Sequence, residues 1–385
     1  MDSARAFRVN LRPIRPALLN LTPLSAMSLH RSSAALVLAV GLTTAVLAHP
    51  DDLPATNRKV AAALPAAPLG SGTWKFEIEA GWAKVPANTN LGPTHGGIVV
   101  DRAGLVYMSS DGPLGVLVFA ADGKFLRSIA PKFSGIHGLM IREEGGKEFI
   151  YAAHVTASQA VKLDLDGNAI WTMGVPKESG LYDQPADATK KPQAYKPTAI
   201  TVGPDGRIYV ADGYGASVIH MYSADRKYLK TIGTRGEGDG QFKTCHGIAL
   251  DTRSGTPLLL VCDRENKRLV HLDLEGKFVR TLATDLRRPC SVSIKGDYAA
   301  IAELAGRVVV TDKTGKIVVT LGDNPDQKQW AQFKLAPEFW QDGIFIAPHG
   351  IAFDAAGNLF VQDWNFVGRL TKLRRVTKGL AMLDR

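Results

Sequence analysis

Residues 196–233 read KPTAITVGPDGRIYVADGYGASVIHMYSADRKYLKTIG. The stretch divides into four candidate strands, TAITV (198–202), RIYVAD (207–212), SVIHMYS (217–223) and YLKTIG (228–233), with PDG and SADR as turns. β-Branched and aromatic residues set between Gly/Asp turns are the signature of short paired strands.

Five other segments align with this unit. They are THGGIVVDRAGLVYMSS (94–110), IHGLMIREEGGKEFIYAAH (136–154), CHGIALDTRSGTPLLLVCD (245–263), PCSVSIKGDYAAIAE (289–303) and PHGIAFDAAGNLFVQD (348–363). Four-stranded units recurring every ~40–50 residues predict an all-β, six-bladed β-propeller. A single blade cannot bury both its faces, so the ring must close on itself. The last unit shows no fourth strand before the chain ends. WKFEIEAGWAKV (74–85) is a strand with no unit of its own, so it is expected to complete the final blade. The propeller is thus predicted over residues 74–376, after a leader (1–48) and a linker (49–73), with a short tail (377–385).

The leader reads as an export signal. Arg31 and its neighbours form a basic region, Ala34–Ala48 is an apolar run too short for a comfortable membrane span, and Val46-Leu47-Ala48 is a candidate cleavage site. A start at Met27 gives a more compact signal. The expected location is periplasmic or extracellular, with no membrane span left after cleavage, and the protein is expected to be a monomer. Five Arg and one Asp of the leader carry part of the formal +9 charge. The remaining excess is scattered, which argues against a nucleic-acid partner. Cys245, Cys262 and Cys290 are an odd number and indicate no disulfide framework, although Cys245 and Cys262 share one repeat and leave one pair open.

One position repeats with functional interest. The residue opening each unit's first strand is, in order, His95, His137, Thr198, His246, Cys290 and His349. First strands line the channel of a propeller, so these residues lie on one circle about the axis. His137, His246 and His349 come from alternate blades, about a third of a turn apart. Three converging imidazoles are what a His₃ metal site requires, and zinc suits neutral imidazole best. The bland alternative is that each histidine satisfies backbone groups at a strand start.

The loops between second and third strands are expected above this circle. Tyr214 offers a phenol whose pKa a nearby cation would lower toward that of a base. Arg264 offers a fork for a carboxylate, or a partner for Asp263 or Glu265. The Asp that heads several of these loops, as at 212, 263 and 363, reads as a turn cap. Two long segments, Val175–Tyr195 and Asp323–Ala347, enter the third and sixth units. The second carries Trp330, Phe333, Phe339, Trp340 and Phe345, a candidate lid, substrate wall or apolar cover.

The repeats resemble NHL repeats over about 300 residues. The site residues resemble those of peptidyl-α-hydroxyglycine α-amidating lyase, the lyase half of the peptide-amidating enzyme. IHGL at His137, CHGIAL at His246 and PHGI at His349 match its zinc-binding histidines in order. ADGY at Tyr214 matches its S-D-G-Y, and CDREN at Arg264 matches its A-D-R-E-N. The resemblance implies a zinc-dependent lyase with Tyr214 and Arg264 as catalytic residues, which cleaves a small-molecule or peptide α-hydroxyglycine to an amide and glyoxylate. The chain departs from that pattern in three places. Ser110 stands in the region of a family arginine, Gly215 replaces a loop cysteine, and Gly350 replaces an aspartate implicated in binding calcium. A lactonase-type hydrolase that holds calcium, or a non-catalytic binding scaffold, are the other readings of the same ring.

Overall fold

The computed structural model describes residues 67–87, 89–183 and 192–376. The leader, most of the expected linker and the tail lie outside them. The architecture is all-β, a six-bladed propeller. Its first strands are Ile98–Val100, Ile136–Glu144, Ala199–Val202, Cys245–Asp251, Pro289–Lys295 and Pro348–Phe353, each followed by antiparallel neighbours in sequence order. Blades stack through apolar faces. Between the fifth and sixth, for example, Ala300, Val308, Val310 and Leu321 meet Ile351, Leu359, Val361 and Leu373. Among the described residues no helix is long and apolar enough to cross a membrane.

The expected closing strand is present, and it is shorter than its sequence suggested. Trp74–Glu79 pairs antiparallel with Arg369–Arg375, so chain residues from both ends make one blade. The strand stops because Gly81 turns the backbone at φ 61°, a left-handed conformation that favours glycine. The chain then crosses to the first blade. Trp82 Nε1 donates to the Ala121 carbonyl at 3.2 Å, and Lys84 bridges to Lys124. Part of the expected linker is also structured. Leu69–Ser71 folds back on Trp74–Phe76 as a fifth strand, which covers an edge that would otherwise be open.

All three cysteines are free and buried. Cys245 and Cys262 do not pair because they face opposite sides of the fourth blade. Cys245 packs with Ile219 and Phe242, toward the third blade, whereas Cys262 packs with Ala299 and Ile301 of the fifth.

Candidate metal and catalytic site

The ring expected from the sequence position forms. The imidazole centroids of His137, His246 and His349 stand 4.7 Å apart in every pairing. His95 joins at 4.8 Å from His137 and 4.9 Å from His349. A backbone device aims most of the set. Ile136 pairs with His154 and Gly138 with Ala153, so the ladder skips His137. The same skip omits His246, Cys290 and His349 from their ladders. A β-bulge of this kind turns one side chain out of the strand's alternation, here into the channel. Thr198 lies on the same circle without a bulge, and its hydroxyl is committed to the carbonyls of Cys245 at 3.1 Å and Ala211 at 3.3 Å.

Each of the three alternate-blade histidines is tethered to the next blade. Nδ1 of His137 lies 2.6 Å from the Thr198 carbonyl, that of His246 2.8 Å from Cys290, and that of His349 3.2 Å from Gly96. A carbonyl can only accept, so each Nδ1 carries the proton and each Nε2 keeps its lone pair. The glycine after each histidine makes the tether possible. A Cβ on Gly138, Gly247 or Gly350 would lie 2.4, 2.5 or 2.7 Å from those same carbonyl oxygens. Gly350, read as a lost aspartate, therefore has a packing role of its own. His95 has no such tether; its Nδ1 lies 3.6 Å from the Asp111 carboxylate.

Burial holds His137, His246 and His349 well below the ordinary imidazole range, and neighbouring imidazoles and Arg264 push in the same direction. All three are neutral at pH 7, as metal ligation requires. Nε2 of His349 is buried with no hydrogen-bond partner, although a lone buried acceptor is costly. The ring positions offer imidazole and thiol and no carboxylate, so the donors fit zinc and not the oxygen shell calcium demands. Two groups bring all their ligand atoms within 4.8 Å: His95, His137 and His349, and His246, Cys290 and His349. The expected triad is thus divided between them, with His349 common to both. A cavity of about 50 Å³ adjoins the ring, lined by His137, His246 and His349 and reaching Leu139, Ile200, Ile248 and Val292.

Tyr214 and Arg264 come to the mouth. The Tyr214 oxygen lies 2.9 Å from Nε2 of His246, 3.2 Å from that of His95 and 3.3 Å from that of His137, and it accepts from Arg264 Nη1 at 3.1 Å. Burial pushes the phenol up to about 12 although Arg264 pulls it down, so the sequence expectation of a lowered phenol is not met by the protein's own cations. Burial works against charge on Arg264, but Tyr214, Cys290 and Glu265 together keep it firmly protonated. Glu265 accepts from Arg264 Nε and from Arg288 Nη2, both at 2.8 Å, and so brings two guanidiniums to one edge of the mouth. Arg288 went unnoticed in the sequence because nothing in its repeat position marks it.

The loop-heading carboxylates are caps, as read. Asp212 accepts the Lys196 amide at 2.6 Å, Asp263 the Lys243 amide at 2.8 Å and Asp363 the Ala347 amide at 2.7 Å. Glu303 does the same for Arg287 in the fifth blade, a role its different length concealed. The segment Asp323–Ala347 is mainly an apolar cover. Leu335, Ile346 and Ala347 pack over Cys290 and Leu304. Phe333 stacks on Trp364 at 4.8 Å, and Trp364 stands 5.8 Å from His95, so aromatic rings flank that histidine.

A family model described as a 6-bladed beta-propeller (DUF5128) matches residues 198–317. Among solved structures, a streptogramin B lyase superposes with a TM-score of 0.51 at 17% identity, covering 79% of this chain and 99% of that one. A gluconolactonase from Xanthomonas campestris gives 0.52 at 14% identity, over 82% of this chain and 99% of that one. A catalytically inactive virginiamycin B lyase from Staphylococcus aureus, solved with quinupristin, gives 0.50 at 15% identity, over 78% and 100%. At such identities the likeness is one of fold, and chemistry must be argued from the site.

Proposed function

We propose that the chain is an exported, zinc-dependent lyase that cleaves the C–N bond of an α-hydroxyglycine-type substrate to an amide and glyoxylate. The observation that carries this reading is the Tyr214 oxygen, within hydrogen-bond reach of three imidazole Nε2 atoms and of Arg264. A phenol, three imidazole nitrogens and a buried guanidinium thus converge on one point, which supports a proton acceptor beside a metal.

Zinc on the ring histidines would lower the pKa of a substrate hydroxyl bound to it. Zinc beside the phenol would add to the pull of Arg264 against the burial that holds it up, and Tyr214 as phenolate would then take the hydroxyl proton. The electrons left on oxygen form the carbonyl of glyoxylate as the bond to nitrogen breaks, and the departing amide nitrogen recovers a proton from Tyr214. Arg264 favours the phenolate by its charge and, with Arg288, holds the substrate carboxylate. A calcium-dependent lactonase is disfavoured by the nitrogen and sulfur donors of the ring. Export rests on the apolar run of residues 34–48.

The test is glyoxylate release from a peptide extended by α-hydroxyglycine, using zinc-loaded protein. Release that stops on chelation and returns with zinc supports the reading. Zinc-loaded protein that releases none from peptides with varied penultimate residues overturns it.

A further inference from the structure

Four inner strands carry the channel bulge, and only three of the bulged residues are histidine. The fourth is Cys290, skipped where Pro289 pairs with Glu303 and Ser291 with Ala302. We propose that Cys290 is a ligand of the channel metal, and that with His137, His246 and His349 it makes a four-donor imidazole–thiolate set. The inference rests on the reading that this channel holds zinc.

Three observations converge on it. The Sγ of Cys290 and ligand atoms of His246 and His349 all lie within 4.8 Å of one another, and His137 joins through His349, with which it shares the second such group. Tetrahedral zinc, with Zn–N of about 2.0–2.1 Å and Zn–S of about 2.3 Å, would contract this group and draw His137 in from the other about their common His349. The Cys290 strand is held in register with a ligand, because its carbonyl receives Nδ1 of His246 at 2.8 Å. Within the group, the Nε2 of His349 is buried and unpartnered, which points to a ligand between them. Thr198 is the contrast, since it occupies the circle without a bulge and spends its hydroxyl on two carbonyls.

The consequence concerns the state of the site. Zinc with four protein donors is closed, whereas catalytic zinc keeps a position for water or substrate. Cys290 therefore makes the resting site a closed one, and substrate must displace the thiolate or share an expanded shell. Cys290 lies beneath the apolar cover, packed with Leu335, Ile346 and Ala347, so movement of that segment is coupled to the ligand.

The experiment is zinc-edge X-ray absorption on the full chain. Wild type should show nitrogen scatterers and one sulfur at about 2.3 Å. Cys290→Ala, and Cys290→Ser as the near-isosteric check on folding, should lose the sulfur while keeping the nitrogens. Their zinc affinity should fall by at least the roughly 10- to 100-fold that loss of an outer-shell partner costs. Cys245→Ser and Cys262→Ser should leave the sulfur in place. A nitrogen- and oxygen-only shell in zinc-bound wild type overturns Cys290 as ligand and leaves the histidine site standing, as does sulfur that survives in Cys290→Ala. Wild type that binds no zinc at all removes the metal reading itself.

Discussion

Nδ1 of His349 lies 3.2 Å from the carbonyl oxygen of Gly96, a residue 253 positions earlier. The contact joins the last blade to the first at the channel wall, so closing the ring and orienting one imidazole are the same event. The strand that closes the ring bears on both. Phe76 is fully buried between the last two blades. Phe76→Ala should cost about 3–5 kcal/mol, read as a lower urea midpoint, and should loosen zinc binding without touching a ligand. An unchanged midpoint would show that closure depends on the other strands alone.

The histidines should separate by tether. His137→Ala, His246→Ala and His349→Ala each remove a neutral imidazole whose Nδ1 is fixed by a carbonyl, and each should cut zinc affinity steeply. His95→Ala should do less, because His95 is partly exposed and faces Asp111 in place of a carbonyl. Titration with a competing chelator gives the order. Equal losses at all four positions would show that His95 ligates on the same footing as the others.

The glycines after the histidines offer a subtler check. Gly247→Ala would place a methyl 2.5 Å from the Cys290 carbonyl, so the two blades must part and the His246 tether must lengthen. Zinc affinity should drop about 10–100-fold, the range for losing an outer-shell partner, in a protein that still folds. Gly174→Ala, in open space, is the control. Equal affinities would mean that the tether does not orient the ligand.

The ring of residues could be read from the sequence because rotational symmetry converts one repeat position into one circle about the axis. The closing strand could be read from a missing fourth strand in the last unit. Other features depend on contacts between blades that no single repeat contains. The bulges, the Nδ1 tethers and the need for Gly138, Gly247 and Gly350 are of this kind. Leu69–Ser71 escaped notice because LGS has no strand pattern and pairs only through its hairpin. Tyr214 could be placed at the mouth, but not the balance of its surroundings, where burial outweighs Arg264.

Buried histidines set the acid side of stability. His220, outside the ring, is lowered to about 4 by burial, where it meets the Tyr182 hydroxyl and Thr231. Above pH ~6.5 it is neutral in both folded and unfolded chains and costs nothing. As pH falls below that, the unfolded chain takes up a proton that the folded one refuses. Stability then declines by up to about 1.4 kcal/mol per pH unit until pH nears 4. A His220→Gln variant should lose this slope relative to wild type, which cancels the contribution of every other group. Urea midpoints of the zinc-free proteins between pH 7 and 4.5 decide it, and parallel curves would mean that His220 titrates normally.

The reaction itself is best divided by two substitutions that act on different atoms. Tyr214→Phe removes only the phenol oxygen, which lies beside three imidazole nitrogens and the Arg264 guanidinium. It should keep zinc and fold and lose about 10²–10⁴ in turnover, the usual worth of a general base. Arg264→Lys keeps a positive charge but gives up the two-pronged contact with a carboxylate and the bond to Glu265. It should raise KM for carboxylate-bearing substrates more than it lowers kcat, with Arg288 still held at the mouth in part. The separation appears in the pH profile as well. If Tyr214 is the base, the rise in kcat/KM on the alkaline limb should vanish in Tyr214→Phe and shift upward in Arg264→Ala, because the cation that favours the phenolate has gone. A Tyr214→Phe enzyme that turns over at the wild-type rate with the same profile would place the proton acceptor elsewhere on the ring.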